Sequence, residues 1–237
     1  MTDAHQVLVS ASILNADFSR LDRVVHKMER AGVDRLHLDV MDGSFVDNIT
    51  FGPDIVAAFR RLTDLPLDVH LMITEPARYM DRFIAAEPQT ITFHVETREP
   101  HERKTEAIEA IHAAGQGAGL AVSPDTPVSA VDPWLSELDV IMIMSVYPGW
   151  GGQGFIPEAA PKIAEARARL AAAGRGGLVH VDGGVNSKTA EIVGSHGIDV
   201  CIVGSALFQR GQDASDEVDL VKEHALRGYS ATTATAR

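Results

Sequence analysis

Short runs rich in β-branched and other apolar residues recur along the chain, and between them lie stretches whose apolar positions fall every three to four residues. The first pattern predicts strands near Val7–Ser12, Arg35–Val40, Leu67–Met72, Thr90–Val95, Gly117–Val122, Val140–Val146, Leu178–Asp182 and Val200–Gly204. The second predicts helices over Ser19–Ala31, Pro53–Leu62, Pro76–Ala86, His101–Ala114, Pro157–Ala173 and Ser187–Ser195, with a short one around Pro127–Leu138. In the first of these, Leu21, Val24, Val25 and Met28 share a face. Proline recurs at or near the first helical turn, at Pro53, Pro76, Pro100 and Pro157, where its missing N–H costs nothing. The small, polar end Ser230–Arg237 reads as a frayed tail.

Strands separated by helical crossovers pair in parallel. Eight such units at roughly 30 residues each predict an α/β protein that is one single-domain (β/α)8 barrel over residues 1–237. An open doubly wound sheet, the runner-up, would want fewer strands or a second domain. Composition agrees with an ordinary globular chain, 45% hydrophobic and 23% charged. The charge balance, 21 Lys+Arg against 33 Asp+Glu for a net −12, speaks against a nucleic-acid or anionic-membrane partner. One cysteine, Cys201, permits neither an intrachain disulfide nor a CxxC metal site. With no apolar run near the ~18 residues of a membrane span and no signal-like start, a cytoplasmic protein is expected.

Barrel enzymes of this kind work where strands end, and polar residues stand there in pairs. His37 and Asp39 share a strand face, as do Asp68 and His70, and Asp182 closes the seventh strand. A lone histidine on such a face is an ordinary hydrogen-bonded core residue. Several pairs on neighbouring strand ends point instead to mixed N and O ligands for a divalent transition metal. His94 and Glu96, on the fourth strand, are equally readable as supports for such ligands or as structural partners. Met41, Met72 and Met144 are either core filler or an apolar cap over the site.

Glycine-rich turns follow three late strands: Gly149, Gly151, Gly152 and Gly154, then Gly183 and Gly184, then Gly204 with Ser205. Several on one rim predict backbone N–H groups cradling a phosphate. The GxGxxG formed by Gly149, Gly151 and Gly154 lacks the surrounding dinucleotide fold. None of the five lysines ends a strand, which argues against Schiff-base chemistry.

These segments together resemble the ribulose-phosphate 3-epimerase family. The runs that carry the resemblance are Ser12–Phe18, His37–Val46, Asn48–Gly52, Asp68–Met72, Pro148-Gly149 with Gly151–Gln153, Val181–Gly184 and Gly204-Ser205, in order from Val9 to Phe208. The resemblance implies a TIM barrel that interconverts D-ribulose 5-phosphate and D-xylulose 5-phosphate with one divalent cation, Zn, Fe, Mn or Co. It implies His37, Asp39, His70 and Asp182 as ligands, and Asp39 and Asp182 as the acid/base pair. It implies substrate contacts from Ser12, His70, Gly149, Trp150, Gly151, Gly152, Gly183, Gly184, Gly204 and Ser205, and a homodimer or homohexamer. Asp47 stands where the family has proline, Trp150 where it has phenylalanine and Ser123 where asparagine is common, with Tyr147 at a variable position. These departures leave the exact sugar open.

The expected chemistry is proton removal beside a ketone. Asp39 and Asp182 would serve opposite faces of C3 through an enediolate that the cation stabilises. Alternatives are a 3-epimerase of another phosphoketose such as allulose 6-phosphate, or a non-catalytic phosphate-binding barrel. A hexulose-phosphate synthase or decarboxylase would want Asp-x-Lys-x-x-Asp at the third strand, which here reads Asp68-Val69-His70-Leu71-Met72.

Overall fold

The computed structural model describes residues 5–174, 176–209 and 213–235. Eight parallel strands close on themselves in sequence order: β1 Leu8–Ser12, β2 Arg35–Met41, β3 Leu67–Met72, β4 Thr90–His94, β5 Gly117–Val122, β6 Val140–Met144, β7 Leu178–Asp182 and β8 Val200–Val203. Seven α-helices are described around them: α1 Leu21–Arg30, α2 Pro53–Leu62, α3 Pro76–Ile84, α4 His101–Ala113, α5 Pro161–Ala172, α6 Ala190–Ser195 and α7 Ala214–Thr235. The predicted single (β/α)8 barrel is the fold.

The short helix expected between β5 and β6 is a 3-10 segment, Val128–Trp134, with Pro133 inside it. The stretch expected to fray is helical as far as Thr235, while residues 236–237 lie outside the described residues. Val218, Val221 and Ala225 of α7 are buried against the barrel's outer shell, which is what keeps this end folded.

Period-two alternation divides each strand between two environments. One face packs under the helices, as with Val9 and Ala11, Leu36 and Leu38, Val69 and Leu71, and Ile91 and Phe93. Full burial of a Phe, Leu or Ile side chain contributes about 1.5–3 kcal/mol each. The inward face is split. Ala121, Val140, Met142, Met144, Val146 and Ile202 form a separate apolar cluster. Buried polar groups occupy the other side, among them Ser10, Ser12, His37, Asp39, Asp68, His70 and His94. Gly119 lets this interior close, because a Cβ there would stand 2.9 Å from Val140 Cβ. No helix among the described residues is long and apolar enough to cross a membrane.

Candidate active site

Register assembles the polar side of the barrel. Asp39 on β2 lies beside His70 on β3, His37 lies beside Ser12 on β1, and Asp182 on β7 lies beside Met144 on β6 and Ile202 on β8. His37 and His70 are fully buried, and the Asp39 and Asp182 side chains are 4% and 14% exposed.

Asp39 Oδ1 is 3.1 Å from His70 Nδ1 and 3.3 Å from His37 Nε2. Its Oδ2 accepts a hydrogen bond from Ser12 Oγ at 2.7 Å. Asp182 Oδ2 stands 3.6 Å from His70 Nδ1 and 3.8 Å from His37 Nε2. One donor atom from each of the four residues falls within 4.8 Å of the others. His37 Nε2 has only its long contacts with the two carboxylates and no well-formed hydrogen bond, and Nδ1 has no hydrogen-bond partner. A buried polar atom so weakly held is costly, and a cation among these atoms would bind His37 Nε2 directly. The donor set, two imidazole nitrogens and two carboxylates, suits a divalent transition ion. The residues thus fit the metal that their sequence pattern implied.

The local field agrees. Burial alone would lower the His70 pKa, but the adjoining Asp182 and Asp39 carboxylates, the latter hydrogen-bonded to it, outweigh it and raise it to about 9. The same balance of burial against Asp39 and Asp182 raises His37. The two imidazoles hold the Asp39 carboxyl well below the usual carboxylate range, against the effect of burial. The site therefore favours positive charge, as protons or as a metal ion.

Above the cluster a cleft opens at the strand ends. Ser12, Asp39 and Asp182 reach it from the strand ends. Gly149, Trp150, Gly151 and Gly152 form one wall, with Gly183, Gly184, Gly204 and Ser205 on the rim. His37 and His70 lie beneath it. Gly183 and Gly184 have φ of 114° and 65°, in the left-handed region that favours glycine. A Cβ on Gly184 would stand 2.5 Å from Phe155 N. Met41, Met72 and Met144 are buried and line the cleft, Met144 as part of the apolar interior cluster.

Among the lining residues that sequence reasoning gave no role are Asn15 and Asn186. Asn15 lies in a run quoted for its resemblance, and a Cβ on Gly151 would meet its Nδ2 at 2.8 Å. Nothing in strand periodicity marks it, since it sits in a 3-10 turn after β1. Asp68 stands apart from the cluster, with Ser10 Oγ and Thr90 Oγ1 donating to it at 2.9 and 2.6 Å and Arg35 pairing with it at 3.0 Å. His94 and Glu96 stand behind His70. Tyr147 and Trp150 are exposed on the rim, Tyr147 donating from its hydroxyl to Asp125 at 2.9 Å. Asp47 is exposed in the turn after β2.

A sequence profile of the Ribulose-phosphate 3 epimerase family matches residues 8–208. The chain belongs to this family. A protein named ribulose-phosphate 3-epimerase from Bacillus subtilis is 44% identical over 203 residues, 85% of this chain and 92% of its own. The chloroplastic ribulose-5-phosphate-3-epimerase of Arabidopsis thaliana is 42% identical over 217 residues, 91% of this chain and 75% of its own. Among solved structures, 3-hexulose-6-phosphate synthase from Salmonella typhimurium superposes with a TM-score of 0.69 at 17% identity, covering 94% of this chain and all of its own, a likeness of fold. The family match spans every strand and every member of the cluster.

Proposed function

We propose that the protein is an isomerase that epimerises C3 of D-ribulose 5-phosphate to give D-xylulose 5-phosphate, a step of the pentose phosphate pathway. Relatives bearing that name support the reaction. The observation that carries the reading in this chain is the His37–Asp39–His70–Asp182 cluster, its donor atoms converging within 4.8 Å, beneath a glycine-rimmed cleft.

A divalent cation held by these four residues would act as a Lewis acid, lowering the cost of negative charge on the substrate's C2 and C3 oxygens. Asp39, on β2, and Asp182, on β7, stand at different strand ends around the cleft floor. One carboxylate removes the C3 proton and the other, protonated, returns one to the opposite face, so configuration inverts. Ser12 steadies Asp39 by its hydrogen bond to Oδ2. The Met41, Met72 and Met144 side chains exclude water and so strengthen the electrostatics. Gly183, Gly184, Gly204 and Ser205 receive the phosphate on backbone N–H groups, and Gly149–Gly152 close over the sugar. The cation's identity among Zn, Fe, Mn and Co, a homodimeric or homohexameric assembly and a cytoplasmic setting belong to the same proposal.

The test is a coupled assay of purified, metal-loaded protein on ribulose 5-phosphate and allulose 6-phosphate side by side. Turnover of the pentose phosphate in excess of the hexose phosphate supports the proposal. The reverse preference assigns the substrate to the six-carbon sugar, and no turnover of either leaves a phosphate-binding barrel.

A further inference from the structure

Behind His70, away from the cleft, a file of hydrogen-bonding groups leads out of the cluster. His70 Nε2 lies 3.0 Å from His94 Nε2, and His94 Nδ1 lies 3.0 Å from Glu96 Oε2. The Ser123 amide donates to Glu96 Oε1 at 2.7 Å. His94 is fully buried, and the Phe45 ring covers it at 4.9 Å between centroids. Lys162 fixes the turn that supplies the amide, its Nζ donating to the Ser123 and Thr126 carbonyls at 3.1 and 2.7 Å. Burial would raise the Glu96 carboxyl, but bonds from His94, Thr126 and Ser123 outweigh it and hold it at about 2.

These contacts determine where the protons sit. A neutral imidazole has one N–H and one lone pair, so of two ring nitrogens 3.0 Å apart one donates and the other accepts. An ionised carboxylate only accepts. His94 therefore carries its proton on Nδ1, toward Glu96, and presents its Nε2 lone pair to His70. His70 must then donate from Nε2, which leaves Nδ1 as the atom that faces Asp39 and Asp182.

We infer that Glu96, acting through His94, holds a proton on His70 Nε2, so that when a divalent cation displaces the proton Nδ1 shares with Asp39, the Nδ1 lone pair is the one left to ligate it. Glu96 is thus a positioning residue two imidazoles removed from the cluster. The inference rests on the metal-dependent reading above. It also gives His94 and Glu96 one shared task, since a proton on His70 Nδ1 would occupy the cation's place.

Glu96→Gln keeps the shape and reverses the polarity. The Ser123 amide requires an acceptor at the Oε1 position, so the carbonyl goes there and the NH2 turns to His94 Nδ1. That nitrogen must now accept, the His94 proton moves to Nε2, and the neutral His70 is driven to protonate Nδ1. His94→Gln supplies the control. Its side-chain amide reaches about where His94 Nε2 stands and can turn either way, so this background is indifferent to residue 96.

The experiment measures the Zn2+ dissociation constant by competition with a chromophoric chelator, for the wild type, Glu96→Gln, His94→Gln and the double variant. Imidazole 15N shifts of the full chain report which nitrogen of His94 carries the proton. The expected result is His94 protonated on Nδ1 in the wild type and on Nε2 in Glu96→Gln. Glu96→Gln should weaken Zn2+ binding by about 10–100-fold, and the loss should vanish in the His94→Gln background. Wild-type His94 protonated on Nε2 overturns the inference whether or not any variant folds. So does unchanged Zn2+ affinity in Glu96→Gln, or an equal loss in both backgrounds, which marks a merely structural effect. A wild-type chain that binds no divalent cation contradicts the metal-dependent reading instead, and the wild-type His94 shifts then decide the tautomer by themselves.

Discussion

Asp39 and Asp182 converge on one imidazole from strands β2 and β7, with β1 and β8 between them: His70 Nδ1 lies 3.1 Å from Asp39 Oδ1 and 3.6 Å from Asp182 Oδ2. Two carboxylates so placed can share a cation and still present oxygen to different faces of a substrate. Asn keeps an oxygen ligand but cannot serve as a base. Asp39→Asn and Asp182→Asn should therefore each lower epimerisation by at least ~10³-fold. With metal content verified, one of them should still exchange the C3 proton of one epimer in D2O without interconverting the pair. Proton NMR of the substrate reads both. A metal-loaded variant that epimerises at near the wild-type rate is incompatible with two-carboxylate chemistry here.

Ser12 touches only one of the two acids. Its Oγ donates to Asp39 Oδ2 at 2.7 Å within a buried site, where a bond to a charged acceptor contributes about 1.5–3 kcal/mol. Ser12→Ala should lower kcat by ~10–100-fold and lower the thermal midpoint by several degrees, at about 2–4 °C per kcal/mol lost. Steady-state kinetics with a melting curve checks this. An unchanged kcat removes Ser12 from the acid/base arrangement.

The glycine rim of the cleft should be sensitive to a single methyl group. Gly184 has φ of 65° and a Cβ there would stand 2.7 Å from Phe155 Cα, whereas Gly32, with φ of 74° in the turn after α1, has nothing within 4 Å. Gly32→Ala should cost only the left-handed conformation, about 1–2 kcal/mol. Gly184→Ala should cost more than this in denaturant unfolding, and should also raise KM for the sugar phosphate. Equal stability losses, with KM unmoved, would show that Gly184 neither lacks room nor meets substrate.

Much of this was legible in the chain because the barrel repeats one physical rule. Each strand is a short apolar or alternating run, and the predicted strand bounds differ from the observed ones by no more than two residues. His37, Asp39, His70 and Asp182 stood out because polar side chains at strand ends must face a partner, and the register supplied it. α7 escaped notice because its apolar face is sparse: Val218, Val221 and Ala225 are spread among acidic and small residues. Asp68 shares a strand face with His70, but two residues earlier on the strand it meets Arg35, Ser10 and Thr90 and stays outside the cluster. His180, fully buried with neither ring nitrogen partnered, carried no sequence signal beyond standing two residues before Asp182.

Cys201 offers a check on the packing around β8. It is fully buried, and that burial pushes its thiol up to about 12. The thiolate is the reactive species, so native protein at pH 8 should not react with a thiol reagent over minutes. Denatured protein should react with one equivalent. Rapid labelling of the native state would mean that β8 opens far more readily than a buried barrel strand should.

The central claim is that this cluster epimerises C3 with a divalent cation, and one NMR experiment addresses it directly. Purified protein is incubated with D-ribulose 5-phosphate in D2O as isolated, after chelation, and after addition of Zn, Mn, Fe or Co. The account predicts D-xylulose 5-phosphate carrying deuterium at C3, loss of turnover on chelation, and recovery with at least one of these ions. Full turnover by protein shown by elemental analysis to be metal-free, or none in any metal-loaded sample, would contradict it.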